Sequence, residues 1–403
     1  MTVLEVGPPN GRPSAPLRRP ILIVCCVDTL IIAAAGQMLP AMLGPIAREF
    51  EQNLAQRGIL LMLAPLGFVI STLVSGYLSD RWGQRLFILT GFALLTAGLV
   101  LAAWAPTYLI LQAGLFICGA SFGFIESPIA VVGADAFPDW RAQALNVIQV
   151  FFNVGAIIGP AIIGALFWRG WNWRAGFGLC IVLSLAALVL SSRGLPRRRA
   201  NVPAGHEQGE RQGVRWWLVA LIAITLFLYV GSEMTVGQWS ANYVEQTFGV
   251  APARAAIVVS VFWFGMMLGR SLYIVLVARM GYLLPVIWSA VLAAASAVAA
   301  ACASSGLQAG IWCALTGFFL GGTWPTILAY AAHKSPGRIG TVFGAVVSAG
   351  ALGGVFMPPL AGWVAQGTRH ELRAAMLLGA AIIILEGLIV FGIWLWDRRP
   401  EAT

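Results

Sequence analysis

The amino-acid sequence predicts an all-α membrane protein with twelve transmembrane helices in two six-helix bundles. Of its 403 residues, 59% are hydrophobic and 10% are charged, whereas a soluble domain carries about 25% charged residues. The apolar residues form twelve long stretches, and the longest polar segment separates the first six stretches from the last six. These observations indicate a chain that folds in a lipid bilayer.

Each apolar stretch reaches or approaches the length of about 20 helical residues that the hydrocarbon core of a bilayer requires. A helix is predicted in each case because backbone polar groups in lipid must be satisfied within their own segment. In chain order, the predicted helices cover residues 21–43, 59–78, 86–104, 108–132, 144–168, 175–191, 216–243, 256–278, 282–303, 307–332, 339–364 and 374–396.

The polar segments complete the predicted organisation. The proline-containing N-terminal lead is expected to be flexible, and the first apolar stretch is expected to be a retained helix rather than a cleaved signal peptide. The predicted parts are the lead at 1–20, the first bundle at 21–192, a cytoplasmic linker at 193–215, the second bundle at 216–396 and a tail at 397–403.

The basic residues predict the orientation of the chain. If both termini are cytoplasmic, the inner segments carry 17 of the 25 basic residues and the outer segments carry seven, while Arg270 lies inside a helix. Such an excess favours cytoplasmic termini. The net charge of +9 is therefore attributed to membrane topology rather than to nucleic-acid binding. We expect a multi-pass monomer in the cytoplasmic (inner) membrane.

Several classes of chemistry have no support in the sequence. The six cysteines lie in apolar stretches without a metal-like spacing to histidine, so free thiols and no metal site are expected. No phosphate loop of the form G-x-x-x-x-G-K-[ST] occurs, and Lys334 is the only lysine, which disfavours direct use of ATP. No catalytic triad is found. The sequence therefore favours neither an enzyme nor a protein with a cofactor.

Four acidic residues lie within the apolar stretches: Asp28, Glu126, Glu233 and Glu386. A carboxylate at the bilayer centre costs about 2.5–3.5 kcal/mol on insertion scales, so such residues mark functional sites by default. Glu126 lies 11 residues before Phe137, or about 16 Å along a helix, close to the midplane. We predict that Glu126 carries a proton, with Asp28 or Glu233 assisting. The alternative is a carboxyl group that stays permanently protonated.

The two halves of the sequence resemble one another weakly, as expected of a duplicated six-helix unit. Repeats of this kind place a transporter's binding site at their interface. The matching positions, given as first half and second half, are Gly36-Gln37 and Gly237-Gln238, Arg81-Trp82-Gly83 and Arg279-Met280-Gly281, and Gly155 with Gly159 and Gly350 with Gly354.

One loop carries a specific resemblance to a known family. The sequence Gly76-Tyr-Leu-Ser-Asp80-Arg81-Trp-Gly83-Gln-Arg85 resembles the signature loop between helices two and three of the major facilitator superfamily. The resemblance implies the major facilitator fold, in which two bundles rock around a central site lined by helices one, four, seven and ten. It also implies a conformational latch, with Gly76 allowing close helix approach and Asp80 meeting a helix N-terminus. The alternative is a loop that only sets topology.

Other segments resemble the fucose/glucose–proton symporter branch. They are Gly123 to Pro128, Asn146 to Gly159, Tyr229 to Trp239, Phe262 to Arg270 and Trp324 to Thr326. The resemblance implies that Glu126 and Asn153 match the functional acid of helix four and the amide of helix five. The branch's helix-one acid has no counterpart, because the matching position is Gly36 and Asp28 lies about two turns earlier.

Polar and aromatic residues near these acids are the predicted substrate contacts. Polar groups in helix seven, with an adjacent indole ring as a stacking surface, are suited to a sugar. Arg270 requires an intramembrane partner, so a structural ion pair is weighed beside substrate contact. Because helix twelve is peripheral in the family's fold, a structural or unassigned role is favoured over proton coupling for Glu386. The predicted contacts are Asn153, Gln238, Trp239, Asn242, Trp263, Arg270, Trp324 and Thr326.

The sequence is thus interpreted as a secondary active transporter that takes up a sugar or similar small polar solute with protons, sodium being the alternative ion. The segment from Gly155 to Gly164 also resembles a helix-five motif of drug–proton antiporters. That similarity leaves proton-coupled efflux of hydrophobic or cationic compounds as the first alternative. A receptor or scaffold that binds without transport is the second.

Overall fold

The computed structural model describes residues 15–137, 140–196, 215–335, 339–368 and 371–398. These residues form α-helices joined by short connections, and no strand occurs among them. Most of the predicted N-terminal lead, linker and tail lies outside the described residues, as does the side chain of Asp80.

Thirteen helices are found in the described part of the chain. They are α1 (Ala15–Glu49), α2 (Leu54–Trp82), α3 (Gln84–Ala103), α4 (Tyr108–Ala136), α5 (Arg141–Trp168), α6 (Arg174–Gly194), α7 (Trp216–Phe248), α8 (Pro252–Met280), α9 (Leu283–Ala301), α10 (Gly306–Leu320), α11 (Thr323–Lys334), α12 (Ile339–Gln366) and α13 (Leu372–Asp397).

Twelve segments of the described chain are long and apolar enough to cross a membrane, which confirms the predicted number of spans. The tenth span differs from prediction, because it is divided between α10 and α11 at Gly321 and Gly322. A Cβ atom at Gly321 would lie 2.9 Å from the backbone nitrogen of Arg270, and one at Gly322 would overlap the ring of Tyr273. Two glycines that favour a helix poorly, together with the close approach of α8, account for the break.

The chain is divided into two compact units. The first contains the described residues of Met1–Gly36, Leu66–Gly159 and Arg174–Gly205, and the second contains those of Gln37–Pro65, Pro160–Trp173 and His206–Thr403. One end each of α1, α2 and α5 therefore belongs to the second unit. The predicted division into bundles at the linker remains a prediction.

Small residues allow the helices of the first unit to pack closely. A Cβ atom at Gly98 of α3 would lie 2.8 Å from the carbonyl oxygen of Gly114 in α4. On α5, Gly155 and Gly159 approach backbone carbonyls of α1 so closely that a Cβ atom would overlap them. Packing of small residues drives helix association in lipid, where burial of apolar surface cannot.

In the second unit, α7 packs against α8, α10, α12 and α13. Gly353 of α12 contacts the carbonyl oxygen of Phe227 in α7, much as the glycines of α5 contact α1. Within the same unit, the end of α1 contacts α7 through an Arg48–Glu245 salt bridge. The start of α2 contacts α12, where a Cβ atom at Gly58 would lie 2.7 Å from the Cα atom of Pro359.

The loops at Gly83 and Gly281 share one local structure. Both glycines adopt a positive φ, 95° and 75° respectively. Their amide nitrogens donate to carbonyl oxygens four residues earlier, at Ser79 and Val277, over 2.8 Å and 3.0 Å. The similarity of Arg81-Trp82-Gly83 to Arg279-Met280-Gly281 is thus accompanied by the same turn, which strengthens the case for an internal repeat.

Candidate transport site

Glu126 lies on α4, between two helical features that fix its position. Three residues earlier, the carbonyl oxygen of Gly123 accepts a hydrogen bond from Ser75 Oγ of α2 at 2.7 Å. Two residues later, Pro128 lies inside the helix, where it lacks the N–H that would bond the carbonyl of Phe124. The Glu126 side chain is half-buried. In the part of the chain that the structure describes, it makes no hydrogen bond or salt bridge.

Asp28 of α1 contacts α6 through a hydrogen bond. It is 0% exposed, and its Oδ2 accepts a hydrogen bond from Ser191 Oγ at 2.5 Å. Its Oδ1 has no hydrogen-bond partner among the described residues. The observed bond therefore joins α1 to α6, and no described hydrogen bond links Asp28 to Glu126. A coupling role for Asp28 remains a prediction.

Most of the predicted contacts in α7 are buried in this structure. Trp239 is fully buried and donates through Nε1 to the carbonyl oxygen of Pro358 at 3.2 Å. Asn242 accepts a hydrogen bond from Arg57 at 3.2 Å through Oδ1. Gln238 donates to the sulfur of Met234 at 3.2 Å. The Trp239 ring predicted to stack on a sugar is thus covered by protein in this state.

The remaining predicted contacts are distributed over other helices. Asn153 is buried on α5. Trp263 of α8 donates to Gln37 Oε1 at 3.1 Å. Thr326 donates to the carbonyl oxygen of Gly322 at 2.7 Å, which stabilises the start of α11. The ring of Trp324 remains half-buried.

Beside Trp324, the second unit contains a cluster of polar side chains. The ring centroids of Tyr229 and Trp324 are 6.4 Å apart. Glu233, one helical turn after Tyr229, interacts electrostatically with Arg270 of α8. Arg270 donates through Nε to the carbonyl oxygen of Gly321 at 3.0 Å, at the break between α10 and α11. A cation at a helix C-terminus is stabilised by the helix dipole, so Arg270 has a structural role at the break besides its electrostatic interaction with Glu233.

Sequence reasoning missed two members of this cluster. The sequence indicates Tyr229 only as part of a resemblance, and it favours a structural role for Glu386 on a peripheral helix. In the structure, Glu386 is 1% exposed and interacts electrostatically with Glu233 and Tyr229. The presence of an acid in an apolar helix was the available signal, but its neighbours could not be read from the sequence.

The predicted conformational loop is only partly described. Gly83 has the positive φ noted above, and Arg85 donates to the carbonyl oxygen of Ser192 in α6. Arg81 is exposed, and the Asp80 side chain lies outside the described residues. A Cβ atom at Gly76 would meet none of the described atoms within 4 Å. The close helix approach expected at Gly76 is not found among the described atoms, and the latch role of the loop remains a prediction.

Twelve apolar spans, a broken tenth span and ionisable groups within the spans define a multi-pass helical transporter. The sequence matches the Major Facilitator Superfamily over residues 26–239 and 221–403. The chain belongs to this superfamily, and it is a transporter rather than an enzyme.

Relatives within the superfamily differ in what they carry. The chain is 24% identical to an uncharacterised MFS-type transporter of Yersinia pestis over 83% of this chain and 86% of that protein. It is 24% identical to the gentisate transporter of Corynebacterium glutamicum, over 79% of this chain and 74% of that protein. Among solved structures, the Escherichia coli fucose:proton symporter superposes with a TM-score of 0.60 at 19% identity, covering 92% of this chain and 98% of the symporter. That likeness shows the fold alone.

Proposed function

We propose that this protein takes up a monosaccharide or a similar small polar solute together with protons, by alternating access, in the cytoplasmic membrane. The observation that carries the proposal is the half-buried carboxyl group of Glu126, which lies deep in α4 without a described hydrogen bond or salt bridge. A partly exposed carboxyl group at this depth can exchange a proton with water in a cavity, whereas a charge in lipid is costly.

The proton has a defined task in this proposal. Protonation neutralises Glu126, so the desolvation cost of closing the cavity around it decreases. Deprotonation restores the charge and favours a hydrated, open state. Because the same residue is charged in one state and neutral in another, solute movement and proton movement are linked.

Unsatisfied polar atoms in α7 favour a polar solute. Gln238 Oε1 and Asn242 Nδ2 are buried without a hydrogen-bond partner among the described residues. Leaving a buried polar group unpaired costs about 1–3 kcal/mol. Hydroxyl groups of a solute can donate to the first and accept from the second once α7 becomes accessible. A hydrophobic solute offers neither bond, which is why we favour uptake of a sugar-like compound over efflux of a hydrophobic one.

In the proposed orientation, two contacts between α7 and the ends of α1 and α2 lie at the outer membrane face. With cytoplasmic termini, Arg48 and Arg57 lie at the outer membrane face. In the second unit, Arg48 is paired with Glu245 and Arg57 with Asn242. Within the second unit, these contacts hold the outer ends of α1 and α2 against α7.

The Glu126→Gln variant in proteoliposomes tests the coupling role. We expect it to lose accumulation driven by a pH gradient, because a glutamine cannot release a proton, while exchange of solute across the membrane continues. Glu51→Gln is the matched control, since Glu51 is an exposed acid between α1 and α2. Full accumulation by Glu126→Gln would reject the proposal.

The direction of transport separates the alternatives. Inverted vesicles with a pH gradient should expel a solute that intact cells take up. Accumulation of a hydrophobic cation in those vesicles would instead indicate efflux. Saturable binding without flux in either direction would indicate a receptor.

A further inference from the structure

Glu386 of α13 is a buried acid that the proposed mechanism does not use. It is 1% exposed, and neither of its carboxyl oxygens has a hydrogen-bond partner among the described residues. Its helix packs against α7, α9 and α12. A buried carboxylate without donors is strongly disfavoured, so the surroundings of Glu386 determine whether it holds a proton.

The titratable groups around Glu386 can be enumerated. Among the described residues, Glu233 and Tyr229 of α7 and Tyr273 of α8 interact with it electrostatically. The close packing of α13 on α7 supports this, since a Cβ atom at Gly379 of α13 would lie 2.7 Å from the side chain of Val236 in α7. Neither α9 nor α12 contains an Asp, Glu, His, Lys, Arg, Cys or Tyr residue. The one cation of this group is Arg270 of α8, which interacts with Glu233 and Tyr229.

The charges of this group do not balance if both acids are ionised. Arg270 supplies one positive charge, whereas Glu233 and Glu386 together would supply two negative charges. Two carboxylates that share a buried site cannot both ionise readily, because like charges repel and both lose their hydration. One proton bound by the two acids leaves one carboxylate, which Arg270 compensates.

We propose that Glu386 and Glu233 form a second proton-binding site, in which the two carboxyl groups hold one exchangeable proton beside the guanidinium group of Arg270. On binding, the proton adds to a carboxylate oxygen, and on release it returns to water. Glu233 is 8% exposed, so the site is closed to solvent in this state. Binding of the proton at this site does not depend on the proposed function, whereas its use in transport does.

The chemistry of the site selects a proton rather than a sodium ion. A metal cation requires several oxygen ligands, and Arg270 would repel it at close range. No group of three or more His, Cys, Asp or Glu side chains that could hold a metal occurs among the described residues. A proton requires only one carboxylate oxygen and leaves the Arg270 pair intact.

Arg270 also links the site to the broken tenth span. It bonds the carbonyl oxygen of Gly321, and Tyr273 of the same helix contacts Gly322. Loss of the proton adds a second negative charge beside Arg270, which draws the guanidinium group away from the end of α10. Proton binding thereby biases the geometry of the break, the kind of discontinuity at which transporters bind solutes and ions.

Infrared spectroscopy of the purified protein without solute tests proton binding directly. A protonated buried carboxyl group gives a C=O stretch that shifts in heavy water and disappears when the group ionises. We expect the wild-type spectrum to contain a band of this kind that Glu386→Gln removes, separate from any band of protonated Glu126. Glu233→Gln should remove it as well, because Glu386 then becomes the sole partner of Arg270 and ionises. Glu126→Gln should retain it.

Each outcome decides the inference. Retention of the band in Glu386→Gln or in Glu233→Gln would overturn it, as would a band that responds to sodium at constant pH. If one of the two variants fails to fold, the other still tests the shared proton. Loss of the band in both variants, together with full coupling in Glu126→Gln, would support this site and reject the proposed role of Glu126.

Transport measurements then test whether the proton is used. If it is, Glu386→Gln should move one proton fewer per solute than the wild type. An unchanged proton-to-solute ratio would overturn the use of this proton in transport, while the infrared result still decides binding.

Discussion

The hydrogen bond from Ser191 to Asp28 joins two buried polar side chains of α6 and α1. Asp28 is fully buried, and its Oδ2 accepts a hydrogen bond from Ser191 Oγ at 2.5 Å. A carboxyl group that loses such a donor in a buried site keeps its desolvation cost without compensation. The pair therefore contributes to the packing of α1 on α6.

The Ser191→Ala variant should lower the free energy of unfolding by about 1–3 kcal/mol, because it leaves Asp28 without this donor. Thermal unfolding in detergent micelles measures the effect. Ser192→Ala is the matched control, since the Ser192 hydroxyl donates, among the described residues, to the carbonyl oxygen of Val189 within its own helix. Equal melting temperatures for the two variants would contradict the assignment.

At the scale of helices and their connections, Gly76 near the end of α2 and Gly83 directly after α2 have unequal roles. Gly83 adopts a φ of 95°, a conformation that residues with a Cβ atom rarely adopt. Gly76 lies within α2, where a Cβ atom would meet none of the described atoms. The backbone conformation thus requires glycine at position 83 and not at position 76.

Gly83→Ala should destabilise the protein by about 1–3 kcal/mol because of backbone strain at this positive φ. Gly76→Ala should be neutral or slightly stabilising, because alanine is the better helix former. Thermal unfolding and the transport rate of the two variants provide the comparison. A larger loss in Gly76→Ala would show that Gly76 makes a close contact in another state of the cycle.

The contact between α2 and α12 gives a second prediction at this scale. A Cβ atom at Gly58 would lie 2.7 Å from the Cα atom of Pro359. Overpacking of this kind costs about 1–3 kcal/mol, so Gly58→Ala should disfavour the observed state relative to states in which the two helices separate. In the Gly58→Ala variant, a thiol reagent should label a cysteine introduced at position 242 faster than it does without the Gly58 substitution.

The control for this experiment is Gly178→Ala in α6, where the added Cβ atom meets no described atom within 4 Å. It should leave the labelling rate unchanged. If Gly58→Ala also leaves the rate unchanged, the contact with Pro359 does not hold α2 against α12.

At the scale of the whole molecule, the repeated features of the two halves are consistent with one architectural plan. The turns at Gly83 and Gly281 match, and close glycine contacts join α5 to α1 and α12 to α7. The acids within the spans do not follow this plan. Asp28 and Glu126 lie on α1 and α4 in the first unit, whereas Glu233 and Glu386 lie on α7 and α13 in the second. Proton binding in both units would make the response of the protein to pH depend on more than one site.

A ligand screen by thermal shift tests the protein as a whole. A solute that binds only the folded protein stabilises it by about 2.7 kcal/mol at 100 times its Kd. Under proton-coupled uptake, proton and solute favour each other's binding, so the shift caused by a sugar should increase as the pH is lowered. Sugars and hydrophobic cations should be compared at two pH values. A shift that decreases on acidification would contradict cooperative binding of proton and solute.

The sequence by itself determined the class of fold and the number of spans. Hydropathy suffices for this, because a helix that crosses lipid must satisfy its own backbone and must be apolar along about 20 residues. It also singled out four acids in apolar surroundings, Asp28, Glu126, Glu233 and Glu386. Each of these inferences depends on a property of one segment in isolation.

Only the tertiary structure decided which buried groups meet. It placed Asp28 on Ser191, Glu386 beside Glu233, and the Arg270 bond at a break that the sequence did not predict. The partners of a side chain depend on the rotation and separation of two packed helices, which small residues and individual bonds determine. Hydropathy contains no information on either quantity, so the location of an acid could be predicted while its partner could not.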